Sequence, residues 1–240
     1  MISVQPEGMR QIIAMGGGGF WMEPDNLLLD EYVLAASGLP RPQICFIPTA
    51  CGDASHRIEQ FYAAFNTLPC RPVHLSLFRD PHGRAELIEE SDILYVGGGN
   101  TRFMLAIWKA CGLDAMLREA WEAGTLLCGL SAGAICWFAE GLTDSDGPLG
   151  PMECLGFLAG SCVPHYDGER ERKPVYHRVL KSGQIGAGLA LDDGVAAHFV
   201  GEELKELVSS RPAAGGFSVA CQEGDVCETA LPVTYLGEKD

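Results

Sequence analysis

The sequence lacks most of the features that would mark an extracellular, membrane-borne or nucleic-acid-binding protein. None of its ten cysteines forms a C-x-x-C pair, so the usual zinc-ribbon and dithiol spacings are missing. Several lie in apolar runs, Cys45 in Ile44-Cys45-Phe46-Ile47 and Cys128 in Leu126-Leu127-Cys128, where a free thiol behaves as a small hydrophobe. A reduced, cytoplasmic chain is therefore expected. No stretch approaches the length of apolar sequence that a membrane span needs. The first ten residues hold Pro6 and Glu7 but no apolar run, so no secretory leader is expected. Basic residues are scarce, 17 Lys and Arg against 32 Asp and Glu for a net charge of −15. Such a surface repels phosphate backbones and anionic lipid, so nucleic acid and membranes are not expected partners. Linkers, internal repeats and low-complexity blocks are also missing.

What is present reads as one α/β domain over residues 1–240. With 47% hydrophobic and 20% charged residues, the composition is that of a globular core. Short apolar runs at 11–15, 43–48, 73–78, 93–96 and 125–128 alternate with amphipathic stretches at 26–37, 56–66, 102–109 and 114–123. That pattern predicts a doubly wound, mostly parallel sheet flanked by helices. An apolar helix is expected after Ala134, and residues 141–168, rich in Gly, Pro and Asp, are expected to be mostly loop. A helix over 174–181 and strands at 189–191 and 195–199 follow. The tail from Phe217 reads as two or three strands, with turns at Glu223-Gly224-Asp225 and Leu231-Pro232.

In such sheets chemistry collects where strands exit at their carboxyl ends, and three glycine-rich exits qualify. Gly16-Gly17-Gly18-Gly19 fails the dinucleotide pattern because position 21 is Trp21, so it reads as a structural turn or pocket wall. Gly129-Leu130-Ser131-Ala132-Gly133 fits G-x-S-x-G, with an apolar strand before it and a helix after it. A nucleophile on so tight a turn needs small residues two positions to either side, and glycine stands at both. Ser131 is thus the candidate nucleophile, with the Ala132 N–H one oxyanion donor. Gly97-Gly98-Gly99-Asn100 would provide the second donor, assigned to Gly99, with Gly98 as the alternative. Of six histidines, His74 and His198 fall in apolar strands and suit packing, while His56 and His82 lie in polar surroundings. His165, after Val163-Pro164 at the end of a short apolar run, suits a general base; His177 is its rival. Either Asp193, in Leu191-Asp192-Asp193-Gly194, or Asp146 could orient the imidazole, and spacing does not choose between them.

Val96-Gly97-Gly98-Gly99-Asn100-Thr101, Gly129-Leu130-Ser131-Ala132-Gly133-Ala134 and Pro164-His165, in this order, resemble the peptidase E (dipeptidase E) family and its relative cyanophycinase. The resemblance runs from the first strand to Phe199 and implies a fold similar to that of class I glutamine amidotransferases. It implies Ser131 as nucleophile, His165 as base, the Gly99 and Ala132 amides as oxyanion donors, and no cofactor or metal. Counted from the elbow, Asp146 falls where peptidase E carries an active-site aspartate, whereas the segment of Asp193 resembles the one that supplies the triad glutamate of cyanophycinase. Asp193 is preferred because it follows a strand. Peptidase E takes dipeptides with N-terminal aspartate, so a cation should pair the substrate carboxylate; Arg170, Arg172 and Lys173 follow the histidine, interleaved with acids that could neutralise them. The expected function is a serine peptidase cleaving a dipeptide or small peptide amide, with a homodimer left open. The alternatives are another amide or ester hydrolase on the same fold, such as a cyanophycinase-like isopeptidase, or a non-catalytic binding domain.

Overall fold

Strands buried on both faces must divide their side chains between two cores with a period of two, and the centre of this computed structural model does so. It describes residues 9–78 and 83–237; His82 lies outside them. In β1 (Gln11–Met15), Ile12 and Ala14 enter one core and Ile13 and Met15 the other. The same division runs through β2 (Gln43–Ile47), β4 (Ile93–Val96) and β5 (Leu126–Leu130). These strands and β3 (Arg71–His74) pair in parallel in the order β1-β5-β4-β2-β3. On the other side of β1 the sheet continues with antiparallel β10 (Val195–Val200) and β11 (Glu203–Ser209), and the short β14 (Val233–Tyr235) closes that edge.

Helices cover both faces. Phe20 of α1 (Gly19–Met22), Leu29 and Val33 of α2 (Leu28–Ala36), and Phe61 and Phe65 of α3 (Ser55–Phe65) fill one core. There Phe20 meets Phe46 edge-on at 5.6 Å, and Phe46 stacks on Phe61 at 4.9 Å. Ile88 of α4 (Arg84–Glu89), Trp108 of α5 (Thr101–Cys111) and Trp121 of α6 (Leu113–Ala123) fill the other. Asn100 starts α5 by accepting the Phe103 N–H at 2.9 Å, the expected satisfaction of an orphan helix donor.

One sequence expectation is corrected after β5 and another is incomplete. The helix that follows it, α7 (Ala132–Ile135), lasts four residues, and β6 (Phe138–Thr143) begins almost at once. Residues 141–168 are non-strand over little more than half their length, but they also carry β7 (Gly150–Glu153), β8 (Leu158–Val163) and the second half of β6. With β9 (Gly188–Leu191), β12 (Gly216–Gln222) and β13 (Asp225–Leu231) they form a second sheet in the order β13-β12-β9-β8-β6-β7. Its glycines and prolines concealed it. Pro151 is tolerated because β7 is an edge strand, and Gly141 is required because a Cβ there would sit 2.0 Å from the Ile135 side chain. One face of this sheet adds Phe138, Leu158 and Cys162 to the tryptophan core. The other packs Leu142, Val163 and Val219 against Tyr176 and Val179 of α8 (Arg172–Lys181).

The join between β5 and α7 is held by direct backbone contact. A Cβ on Gly129 would lie 2.6 Å from the carbonyl oxygens of both Gly133 and Val96, and one on Gly133 would lie 2.2 Å from the Val96 oxygen. Because these obstacles are backbone, relief requires moving β4 against β5. Gly133→Ala is expected to lower stability by about 1–3 kcal/mol through overpacking. Gly150→Ala, whose nearest contact would be 3.7 Å away, should stay within about 0.5 kcal/mol of the parent. Urea denaturation of both variants checks the contrast.

Candidate active site

β1 ends in glycines, and its last carbonyls leave the sheet to hold other segments. Met15 O accepts the Ser131 N–H at 3.1 Å, Gly16 O the His165 N–H at 3.1 Å, and Gly17 O the Gly194 N–H at 3.0 Å. Three consecutive peptide groups thus anchor the serine, the histidine and the residue after Asp193. Adjacent Cα atoms are about 3.8 Å apart, so segments distant in sequence are fastened to one short stretch of backbone.

Ser131 adopts φ 54° and ψ −113°, a backbone conformation costly for a residue with a Cβ. Its amide is committed to Met15 and its carbonyl accepts from Ala134 and Ile135, so the turn is over-determined. Ala132 is the first residue of α7, where an N–H has no partner within the helix. The loop after β4 lies alongside: a Cβ on Gly98 would be 3.4 Å from that of Ser131, and one on Gly99 would be 2.2 Å from Ala50 O. Gly98 therefore faces the serine, while Gly99 passes tightly over the β2 exit.

His165 also has a left-handed backbone, φ 54°. Its Nδ1 lies 2.6 Å from Asp193 Oδ1, with side-chain exposures of 14% and 11%. A carboxylate on Nδ1 selects the tautomer protonated there and leaves Nε2 as the basic nitrogen. Asp193 is itself held, its N–H donating to Asp167 Oδ1 at 2.8 Å. Gly17 and Gly168 permit this approach, since a Cβ on either would stand 2.1 or 2.5 Å from an Asp193 oxygen. Asp146 is elsewhere: it pairs with Arg102 on the exposed connection between β6 and β7. The other described histidines are occupied or remote. His198 is buried between Tyr32 and Gln11 and desolvation lowers its pKa to about 4; His74 meets Tyr62; His177 meets Glu228; His56 is exposed.

Arg172 does not face a cleft. Its side chain is 5% exposed and donates to Leu142 O and Glu169, both at 2.8 Å, so the expectation that it binds substrate gives way to a bracing role at the start of α8. Lys173 is engaged by Glu228, and Arg170 is exposed. Sequence reasoning missed Trp21, whose ring borders Gly97 and Gly98 and carries the Arg57 guanidinium 3.9 Å over its centre. It also missed Asp167, for which the Asp167-Gly168 pair after His165 was the available signal. Among the described residues no group of three His, Cys, Asp or Glu side chains is gathered to hold a metal, and no helix is long and apolar enough to cross a membrane.

A serine on a strand-to-helix elbow, with a carboxylate-bound imidazole anchored on the neighbouring strand, is the construction of a serine hydrolase on a parallel α/β sheet. The sequence profile of Peptidase family S51 matches residues 12–207. The chain belongs to that family and is a serine-type peptidase. It is 54% identical over 230 residues to the uncharacterized peptidase YgaJ of Bacillus subtilis (strain 168), covering 95% of this chain and all of that one. It is 27% identical over 134 residues to peptidase E of Pasteurella multocida (strain Pm70), covering 51% of this chain and 57% of that one. In three dimensions it is similar to the crystal structure of a peptidase from an acI-B1 Actinobacterium, with a TM-score of 0.69 at 18% identity over 95% of this chain and 96% of that one; at that identity the likeness speaks for the fold alone.

The glycine loop that supplies two of the three carbonyls is braced from below by Asp30, which is fully buried. Its Oδ2 accepts the Phe20 N–H at 2.7 Å, and a Cβ on Gly19 would stand 3.1 Å from both carboxyl oxygens and 3.3 Å from the Tyr95 hydroxyl. Burial pushes its pKa from 3.8 up to about 7, against the pull of the Phe20 amide. Between those values the folded state holds a proton that the unfolded chain has lost, so this group's contribution to stability falls as pH rises through the window. Asp30→Asn removes the titration and keeps an acceptor for Phe20. Stability of Asp30→Asn minus that of the parent should climb from pH 4 to pH 7 by at most about 1.4 kcal/mol per unit and flatten above. Urea denaturation of the pair across pH checks this.

Proposed function

We propose that the protein hydrolyses dipeptides or short peptide amides through Ser131, His165 and Asp193, the three acting as one cytoplasmic catalytic unit without metal or cofactor. The Ser131 hydroxyl attacks the carbonyl carbon while His165 Nε2 takes its proton. The resulting imidazolium, its charge offset by Asp193, passes that proton to the leaving amine as the C–N bond breaks. A water deprotonated by His165 then attacks the acyl-serine ester, releasing the carboxylic acid and the free serine. The amides of Ala132 and of Gly99, with Gly98 as the alternative donor, hold the oxyanion formed in each half, each donor being worth about 3–4 kcal/mol.

The observation that carries this reading is the convergence of the Ser131 and His165 amides on adjacent carbonyls, with Asp193 on the far nitrogen of the imidazole. Asp146 does not share that position, because its carboxylate is spent on Arg102. A cyanophycinase-like isopeptidase or another amide hydrolase would use the same three groups and differ only in the substrate pocket. Of the cations after His165, Arg170 is the exposed one not engaged by Glu169 or Glu228, so it is the group proposed to pair an acidic N-terminal side chain.

Ser131→Ala should lose at least about 10⁴-fold in kcat/KM on cleaved dipeptides, and Asp193→Asn about 10³–10⁴-fold, whereas Asp146→Asn should remain near the parent. A fluorophosphonate probe should label Ser131 stoichiometrically; parent-level turnover in Ser131→Ala, measured by amine release, would refute the scheme. Arg170→Ala should erase a preference for Asp-X over Ala-X dipeptides, and an unchanged ratio of kcat/KM would remove Arg170 from substrate recognition.

A further inference from the structure

His165 is held in a strained backbone conformation, and its N-terminal side is fastened to Gly16. On its C-terminal side its carbonyl accepts the Glu169 N–H at 3.1 Å, and the next residue, Tyr166, is held in turn. The Tyr166 N–H donates to Leu191 O at 3.1 Å, just before the aspartate pair at 192 and 193. Its ring is buried between Tyr176 of α8 and Phe217 of β12. Its hydroxyl donates to Glu228 Oε1 at 2.6 Å. Glu228 also receives His177 Nε2 at 2.5 Å and, on its other oxygen, Lys173 Nζ at 2.7 Å. Burial alone would raise its pKa, but the hydrogen bonds from Lys173, Tyr166 and His177 together hold it below the ordinary value. A carboxylate kept charged at 18% side-chain exposure is a firm anchor for a buried phenol.

Glu228 stands on β13, beyond the 12–207 stretch that matches the family profile. The same C-terminal hairpin grips the carboxylate side of the site. Gly215, just before β12, accepts the Asp192 N–H at 3.0 Å and donates to Asp192 Oδ2 at 2.8 Å. The segment after residue 207 thus holds the immediate chain neighbours of both His165 and Asp193, with no contact to the reacting atoms required of it.

We propose that Glu228 is a positioning residue for the reaction, fixing His165 through the Tyr166 hydroxyl, and that the C-terminal hairpin completes the active site from outside the family's common core. The inference rests on the serine-hydrolase reading above. A catalytic base must be held close to its productive geometry, and a displacement of about 1 Å can lower turnover about 100-fold. Losing the anchor should therefore reduce kcat while leaving ground-state binding in place.

The test uses the full-length protein with Glu228→Gln, Tyr166→Phe and the double variant. Tyr166→Phe retains the packed ring and reports even if Glu228→Gln does not fold. Per fluorophosphonate-titratable site, each single variant is expected to lose about 10–100-fold in kcat with KM changed less than about twofold. The double variant should match the worse single one, because both break one link. The rate of fluorophosphonate labelling at Ser131 should fall by the same factor. A purely structural role predicts lower melting temperatures with kcat per active site unchanged, and that result overturns the proposal, as would additive losses in the double variant. Parent protein that fails to label at Ser131 refutes the hydrolase reading; parent that labels, with Glu228→Gln and Tyr166→Phe labelling equally fast, refutes this inference alone.

Discussion

Everything distinctive about this site depends on the end of β1, where three successive carbonyls, of Met15, Gly16 and Gly17, turn outward to take the amides of Ser131, His165 and Gly194. Hydrogen bonds to backbone carbonyls are short and directional, so they convert the regularity of a strand into fixed distances between three distant segments. β1 can do this because it is central, with β5 in parallel on one side and β10 antiparallel on the other. β5 delivers the serine at its carboxyl end, and β10 begins just after the aspartate.

That convergence accounts for where glycine is indispensable. Gly129 and Gly133 allow three backbones to touch beneath the elbow, while Gly17 and Gly168 leave room for the Asp193 carboxylate. A methyl group at any of the four would press on backbone or on the Asp193 carboxylate that meets His165. The two left-handed residues that are not glycine and lie at the site, Ser131 and His165, are the proposed nucleophile and base. Such strain persists only where neighbours over-determine it, and here each has its amide and its carbonyl bound.

The second sheet gives the imidazole its support. β8 leads into His165, β9 leads into Asp193, and they are adjacent parallel strands in register from Ser161↔Gly188 to Val163↔Ala190. Side-by-side strands ending level with one another put a histidine and a carboxylate in reach without either lying on a flexible excursion. The hairpin of β12 and β13 continues this sheet, which is why a carboxylate as late in the chain as Glu228 reaches the hydroxyl of Tyr166, the residue after His165.

The sequence by itself determined the parallel core and the elbow with its serine, and it favoured His165 over His177. Each follows from local physics: buried strands are runs of apolar residues, an elbow needs glycine two residues to either side, and a strand end followed by a polar turn exposes its next side chain. Spacing alone could not choose between Asp193 and Asp146, because both sit in acidic turns, and the preference for Asp193 rested only on its following a strand. The fold decided by spending Asp146 on Arg102 and bringing Asp193 to His165 beside β1. It likewise drew strands of the second sheet from the stretch rich in glycine and proline and buried Arg172 under Leu142. Those outcomes depend on which segments pair across many intervening residues, and pairing partners are not written in the neighbourhood of either one.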